Sequence, residues 1–260
     1  MIAIDLSGKV AVVTGGSRGL GREIARGLSR AGAIVAVASR KLDGCETVVA
    51  ELIAAGGQAS AHAFDAGRWE DCDRLHREVS ERWGGVQILV NNAGKSPLAP
   101  SSLATSQALF DKIIAINLRS VFRLCALFGA QMREADGGAI VNISSSGALR
   151  PDPSFAPYAA AKMGLNVLTT TFAQEYGPKV RVNTVMPGPF HTDGTSAWSR
   201  GDAFTQHAQR NLPLQRGGEP PEIVGAVLFL VSELASFTTG ACLTVDGGHS
   251  VANRGSGAEV

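Results

Sequence analysis

Tyr158 and Lys162 stand four residues apart in Ala156-Pro-Tyr-Ala-Ala-Ala-Lys-Met-Gly164. On a helix that spacing puts a phenol and an ammonium on one face. The pair is a candidate acid–base couple. A free phenol ionises near ~10, and bringing it close to neutrality takes about 3 units, or roughly 4 kcal/mol. One cation at ~4 Å contributes about 4 kcal/mol at an effective dielectric of ~20, so Lys162 is sufficient in principle. The chain has only two tyrosines, and Tyr176 has no lysine four residues on. The spacing alone also describes an ordinary helix surface.

A second candidate is Thr14-Gly-Gly-Ser-Arg-Gly-Leu-Gly21. Gly15, Gly19 and Gly21 permit a tight turn and let backbone amides approach a pyrophosphate. The helix that follows offers unpaired N–H groups and the positive end of its dipole to that anion. The spacing is GxxxGxG, not the GxGxxG of the common dinucleotide fingerprint. A Gly-rich turn without a ligand is the alternative. Its place after the first strand of a strand–helix–strand unit favours the dinucleotide.

The elements that must position these residues alternate along the chain. Strands are expected at 9–13, 34–39, 58–64, 87–90, 139–143, 180–185 and 241–245. Several are apolar on successive residues, as in Val10-Ala-Val-Val13, the pattern of strands buried on both faces. Helices are expected near 19–31, 43–56, 68–83, 105–134, 156–176 and 220–233, with a short one near 202–210. Strand–helix alternation with right-handed crossovers predicts an α/β fold, a single doubly wound Rossmann-type domain over 1–260. It has a parallel seven-stranded sheet with helices on both faces. An insertion over about 188–218 is expected to border the substrate, and the Gly-rich tail 249–260 to be loose.

Composition excludes several classes. The 260 residues are 45% hydrophobic and 18% charged, which is foreign to disordered chains. A net charge of +1 without a basic run argues against nucleic acid. No uninterrupted apolar run approaches the ~18 residues of a membrane span, and no signal peptide is read at the start. The four cysteines are scattered without a CxxC pair, which suggests free thiols, a reducing cytoplasm and no metal site.

The motifs Thr14-Gly15-xxx-Gly19-x-Gly21, Asn91-Asn-Ala-Gly94 and Tyr158-xxx-Lys162, in this order and spacing, resemble the short-chain dehydrogenase/reductase family from Gly8 to about Gly248. The resemblance implies a nicotinamide cofactor, hydride transfer to or from a carbonyl or alcohol, and frequently a homotetramer. It carries over Ser145, at the end of a strand and thirteen residues before Tyr158, as the catalytic serine, and Asn117 as the active-site asparagine. Tyr158 is then the proton donor and, in reverse, its phenolate the base. Ser145 holds the substrate oxygen, and Asn117 positions a water that relays protons from Lys162. For the cofactor it implies the glycine loop with Ser17, Arg18 and Leu20, and Asp65 and Ala66 at the adenine. Asp65 also reads as an N-cap of the next helix. Asn91 with the Ala93–Gly94 backbone lines the ribose, and Tyr158 and Lys162 contribute as well. Pro187, Gly188, Phe190 and Thr192 lie beside the nicotinamide. The family usually has a branched aliphatic residue where Phe190 stands.

NAD-preferring enzymes carry an acidic residue after the second strand. Here Ser39 and Arg40 occupy that place, and Arg18 is a second cation, so NADP(H) is expected rather than NAD. Lys95, Leu98, Arg150, Phe155, Phe190, Trp198 and Phe204 are the candidate pocket walls. The aromatics suggest a bulky or apolar carbonyl compound; Lys95 and Arg150 offer an acid or phosphate contact, or are solvated charges. The readings are an NADPH-dependent ketone or 3-oxoacyl reductase, a catabolic alcohol, sugar or polyol dehydrogenase using NADP or NAD, and a silent dinucleotide sensor. The complete set Asn117, Ser145, Tyr158 and Lys162 argues against the last. For a homotetramer, the helix at 105–134 is expected to present Phe122, Leu124, Leu127 and Phe128 to a partner, paired with the helix at 156–176.

Overall fold

The computed structural model describes residues 4–195 and 199–252. Its strands are β1 (Val10–Thr14), β2 (Ile34–Ser39), β3 (Ala59–Ala63), β4 (Ile88–Asn91), β5 (Gly138–Ile143), β6 (Val180–Pro187) and β7 (Cys242–Val245). Its helices are α1 (Gly19–Arg30), α2 (Leu42–Ala54), α3 (Trp69–Trp83), α4 (Gln107–Ile114), α5 (Ser120–Glu134), α6 (Ala156–Tyr176), α7 (Asp202–Asn211) and α8 (Val224–Val231). The seven strands form one sheet in the order β3-β2-β1-β4-β5-β6-β7, and every pairing is parallel. All seven expected strands are present within two residues of their expected ends. The order reverses between β1 and β4, which opens a crevice at their C-terminal ends, where such sheets take ligands.

Successive side chains of each strand go to opposite faces. Val13, Val35, Val37, Ile88 and Val90 join Ile24 and Leu28 of α1, Val48 and Leu52 of α2, and Val227 and Leu230 of α8 in one core. Val12, Ala36, Ala38, Leu89 and Ile140 join Leu75 of α3, Leu124 and Phe128 of α5 and Leu165 of α6 in the other. Both faces are therefore covered, which is why the strand sequences do not alternate between apolar and polar.

The helix expected over 105–134 begins at Gln107, where Ser106 accepts a hydrogen bond from Leu109 N at 3.2 Å. It is not uniform: Ala115–Arg119 is a π-turn between α4 and α5. As one body, Gln107–Glu134 has 28 residues and a mean hydropathy of 1.6, long and apolar enough to cross a membrane by length and composition. Counting uninterrupted apolar runs missed it because Asp111, Lys112, Asn117 and Arg119 punctuate it. Its Val121, Leu124, Cys125, Phe128 and Met132 are packed in the core. Leu124 and Phe128 thus face inward, while Phe110, Phe122, Met163 and Val167 are the exposed apolar side chains of α4, α5 and α6.

The insertion is tied at its neck. Phe190 and Gly218 form a parallel bridge, with His191 N donating to Gly218 O at 2.8 Å and Gly218 N to Pro189 O at 2.9 Å. α7 lies within it, as expected, and Trp198 falls outside the described residues. Of the tail expected to be loose over 249–260, the structure describes residues 249–252. Residues 249–252 continue a turn in which Val251 N and Ala252 N donate to Gly248 O, and Arg150 donates to the carbonyls of His249 and Ala252 at 2.6 and 3.0 Å. Paired carbonyls, not composition, decide the order of this segment. Residues 253–260 lie outside the described set.

Leu28 is fully buried between α1 and the sheet, whereas Leu103 is 98% exposed. Leu28→Ala is expected to lower unfolding free energy by about 2–5 kcal/mol, and Leu103→Ala to change it by less than about 0.5 kcal/mol; urea titration of both variants measures the contrast.

Candidate active site

The crevice is built from two turns stitched to each other. Thr14 Oγ1, at the end of β1, accepts from Asn92 N at 3.0 Å and from Ala93 N at 3.1 Å. Asn92 Nδ2 donates back to Thr14 O at 3.0 Å and Gly15 O at 3.2 Å. Neither Thr14 nor Asn92 was among the expected site residues. Their signal was a short polar side chain at each of two adjacent strand ends. The stitching leaves no room at Gly21, where a Cβ would run into Gly15 O and Asn92 Nδ2. Gly19 has a φ of +53° and lies against Thr192, whose Cβ would be 3.4 Å from a Cβ placed there. The first residues of the insertion therefore face the glycine loop across the crevice.

α1 starts directly from this loop, with no side-chain cap and no acidic residue in its first turn. Its first N–H groups are thus left for another acceptor, and a pyrophosphate fits that donor set. Leu20 is half-buried and packs against the core. At the end of β2, the Ser17 and Ser39 hydroxyls are hydrogen-bonded at 3.0 Å. Arg18 and Arg40 are exposed and make no ion pair among the described residues, whereas Arg22 and Arg26 are both held by Glu51.

Asp65 follows β3 but does not cap α3, which begins four residues later at Trp69. Its Oδ1 accepts from Gly67 N at 2.8 Å, and its N–H donates to Asp71 at 2.9 Å. Ala66 beside it is buried. The Asn91 side chain turns into the core, donating to Asn142 Oδ1 at 2.9 Å, and its own Oδ1 has no partner. What Asn91 can offer a ribose is therefore its main chain. Ala93 and Gly94 continue along the crevice. Pro187 ends β6, and Gly188 N donates to Val245 O at 3.0 Å. Phe190 is 5% exposed and belongs to the core with Ile223 and Val224, so its ring supports the wall from behind.

The proposed chemical groups converge at the end of β5. Ser145 precedes the 3-10 turn Ser146–Ala148 and accepts from Gly147 N at 3.0 Å. Burial raises the Tyr158 phenol above its ordinary pKa of 10.0, and a hydrogen bond with Ser145 pulls the other way. Lys162 Nζ lies 5.7 Å from the centre of the Tyr158 ring and donates to Ile143 O at 2.8 Å. Its backbone carbonyl accepts from Ser144 Oγ at 3.1 Å, which fixes α6 to β5. Asn117 sits in the π-turn, a distortion frequent at functional sites. Its Nδ2 donates to Ile113 O and Lys95 O, both at 2.9 Å, and its Oδ1 accepts from Lys95 N at 3.2 Å. The side chain thus pins the 94–95 turn, and a Cβ on Gly94 would stand 3.1 Å from Asn117 Oδ1 and 3.5 Å from Lys162 Nζ. An oxygen placed between Ser145 and Tyr158 would receive two hydroxyl groups, with an ammonium behind the phenol.

Two of the expected walls are changed by their partners. Arg150 is committed to the tail carbonyls. Phe204 meets the half-buried His191 ring edge-on at 5.7 Å. Leu98 and Leu149 are 67% and 46% exposed, and Phe155 stands edge-on to Tyr158 at 6.3 Å.

Burial lowers the Lys162 pKa from 10.5 to about 8. The folded cofactor-free chain then binds fewer protons than the unfolded one between about pH 8 and pH 10.5, so this group's contribution to stability rises with pH there. Lys162→Met is expected to stabilise the cofactor-free protein at pH 7 and to lose that advantage, on the order of 3 kcal/mol, as pH rises through this window. Denaturation of both proteins across pH 7–10.5 measures it.

The family model described as enoyl-(acyl carrier protein) reductase matches residues 15–250. D-threitol dehydrogenase of Mycolicibacterium smegmatis is 37% identical over 253 residues, covering 95% of this chain and 94% of its own. The structure of a gluconate 5-dehydrogenase from Burkholderia cenocepacia in complex with NADP and tartrate superposes with a TM-score of 0.91 at 31% identity, over 96% of this chain and 98% of the other. That of 7α-hydroxysteroid dehydrogenase, complexed with NADH and 7-oxo glycochenodeoxycholic acid, gives 0.90 at 34%, over 95% and 96%. With three motifs in register on a doubly wound sheet, the chain belongs to the short-chain dehydrogenase/reductase family, oxidoreductases that act on CH–OH groups with NAD or NADP.

Proposed function

We propose that this chain works as a single catalytic domain that transfers hydride between NADP(H) and a ketone–secondary alcohol pair, as a ketone or 3-oxoacyl reductase. The bound nicotinamide supplies or accepts the hydride. Tyr158 gives the proton to the carbonyl oxygen, and Ser145 holds that oxygen by a second hydrogen bond. The Ser145 hydrogen bond opposes the rise that burial imposes on the phenol, and Lys162, with Nζ 5.7 Å from the ring centre, places an ammonium beside it. Asn117 keeps the 94–95 turn beside this ammonium. The cofactor cradle is the glycine loop, the open end of α1, Asn91 to Gly94, Asp65 and Ala66, and Pro187 to Thr192.

The observation that carries the cofactor choice is the pair Arg18, in the glycine loop, and Arg40, after β2, both exposed and without an ion-pair partner among the described residues. A guanidinium takes two oxygens of a 2′-phosphate in a forked geometry. A carbonyl compound with an apolar body is supported by Phe155 standing edge-on to Tyr158, by the exposed Leu98 and Leu149, and by Arg150 being engaged elsewhere. The relatives favour a second reading, a dehydrogenase of polyols or sugar acids, since one is named for D-threitol and another for gluconate. A panel of ketones, 3-oxoacyl thioesters, vicinal diols and sugar acids with each cofactor separates the two. For the assembly we propose a homotetramer in a cytoplasmic setting, its helical interface covering Phe110, Phe122, Met163 and Val167.

Three outcomes are expected. Tyr158→Phe lowers kcat by at least ~10²-fold while cofactor affinity stays near that of the parent; stopped-flow hydride transfer and cofactor fluorescence read the two separately. Arg40→Ala weakens NADPH by about 1.5–3 kcal/mol and leaves NADH almost unchanged; equal loss for both cofactors in kcat/KM removes Arg40 from the phosphate site. Sedimentation equilibrium gives four times the 27.0 kDa chain mass; a stable monomer at micromolar concentration overturns the assembly.

A further inference from the structure

The turn after β7 touches both sides of the substrate cleft. Asp246 organises it, accepting from Gly248 N at 2.9 Å and Ser250 N at 2.6 Å. On the insertion side, Leu214 N donates to Gly247 O at 3.1 Å, and Gly248 packs against the Pro213 ring. On the β5 side, His249 Nδ1 pairs with Ser146 Oγ at 3.0 Å, and Arg150 donates to the His249 carbonyl at 2.6 Å. Ser146 is 3% exposed and is the residue next to Ser145. The Ser146–Ala148 turn is itself slight: Gly147 N is held by Ser145 Oγ, Ala148 N by Ser145 O, and Leu149 N and Arg150 N by Ser146 O, each at 3.0 Å. So short a turn does not fix its own orientation. Besides its packing on α6, the turn is held through His249, which bonds Ser146 across 103 residues and Arg150 across 99.

We propose that His249 is a positioning residue for the hydride-transfer reaction: through Ser146 it sets the orientation of the turn that carries Ser145, and through the Asp246 turn it ties that orientation to the insertion. The proposal rests on the reading of Ser145 as the group that holds the substrate oxygen. Burial, the neighbouring Arg150 and, more weakly, His207 hold the ring below its ordinary pKa of 6.5, against the opposing pull of Asp246. The ring is therefore neutral at pH 7, and with its proton on Nε2 it accepts from the Ser146 hydroxyl. His249 touches neither the substrate oxygen nor Tyr158. Its effect belongs in the chemical step, not in cofactor binding.

The test uses the full-length enzyme with NADPH and the best substrate of the panel, comparing His249→Ala and His249→Asn, the second keeping a hydrogen-bonding atom near the position of Nδ1. His249→Ala is expected to speed amide exchange at Gly147, Ala148, Leu149 and Arg150 by roughly tenfold, the scale of one lost hydrogen bond, while His249→Asn stays within about threefold of the parent. Exchange in β1 and β2 is expected to be the same in all three. In kinetics, kcat falls by a similar factor for His249→Ala while the NADPH Kd holds, and His249→Asn recovers it. Placed on Ser145→Ala, His249→Ala is expected to cost nothing further, because both act at one point. Unchanged exchange at the four amides overturns the proposal, as does exchange raised across the whole sheet or full additivity with Ser145→Ala. If no panel member is turned over, the reductase reading fails by itself, and the exchange comparison still decides whether His249 orients the turn.

Discussion

Lys162 keeps an ammonium 3% exposed at the end of β5, with the Ile143 carbonyl as its hydrogen-bond partner and no carboxylate beside it among the described residues. A charge in such a place is costly, and a neighbouring aspartate would relieve the cost. It would also cancel the field that the ammonium exerts on the phenol 5.7 Å away. The rest of the site follows from leaving this charge unpaired. α6 must be held to the sheet by other means, and it is: Ser144 grips the Lys162 carbonyl, and Thr169 one face further along bonds Asn142 and Thr184 at 2.9 and 2.8 Å. These uncharged ties fix where Tyr158 and Lys162 stand without adding a counter-charge.

The crevice divides its work in the same spirit. The cofactor end is made mostly of main chain, brought close by Gly15, Gly19 and Gly21 and braced by the reciprocal bonds of Thr14 and Asn92. The chemical end is made of side chains on two elements, β5 and α6, that are tied to each other. The stretch after Gly94 and the insertion, joined to the body at the Phe190–Gly218 bridge, flank these two ends outside the sheet. Relatives with this fold are named for D-threitol, gluconate and a hydroxysteroid.

The sheet was legible because its strands are buried on both faces and therefore apolar on successive residues, as in Val10-Ala-Val-Val13. The chemical groups were legible from three spacings. What was not legible depends on contacts between segments far apart in sequence. Asp65 reads as a helix cap until the start of α3 is seen at Trp69. The sequence does not tell that the Asn91 side-chain amide is spent on Asn142, which leaves its main chain to face the crevice. Arg150 reads as a pocket or solvent-facing charge until the carbonyls of His249 and Ala252 are found on it. Composition reports the groups a segment carries, not the partners that meet them.

The π-turn at Ala115–Arg119 has a consequence for how the chain can vary. An α-helix with one surplus residue has its two halves rotated by a fixed amount relative to each other. Here both halves lie against α6, and α5 also lies against α3 and the sheet. Removing a single residue between Ile113 and Ser120 would restore a regular ladder of hydrogen bonds, yet it would swing one half through roughly 100°, the angle that separates successive residues at 3.6 per turn. Asn117 and the inward face of α5 could not both survive that swing. The length of this helix is therefore as constrained as the placement of Asn117 itself, a constraint that surface loops do not carry.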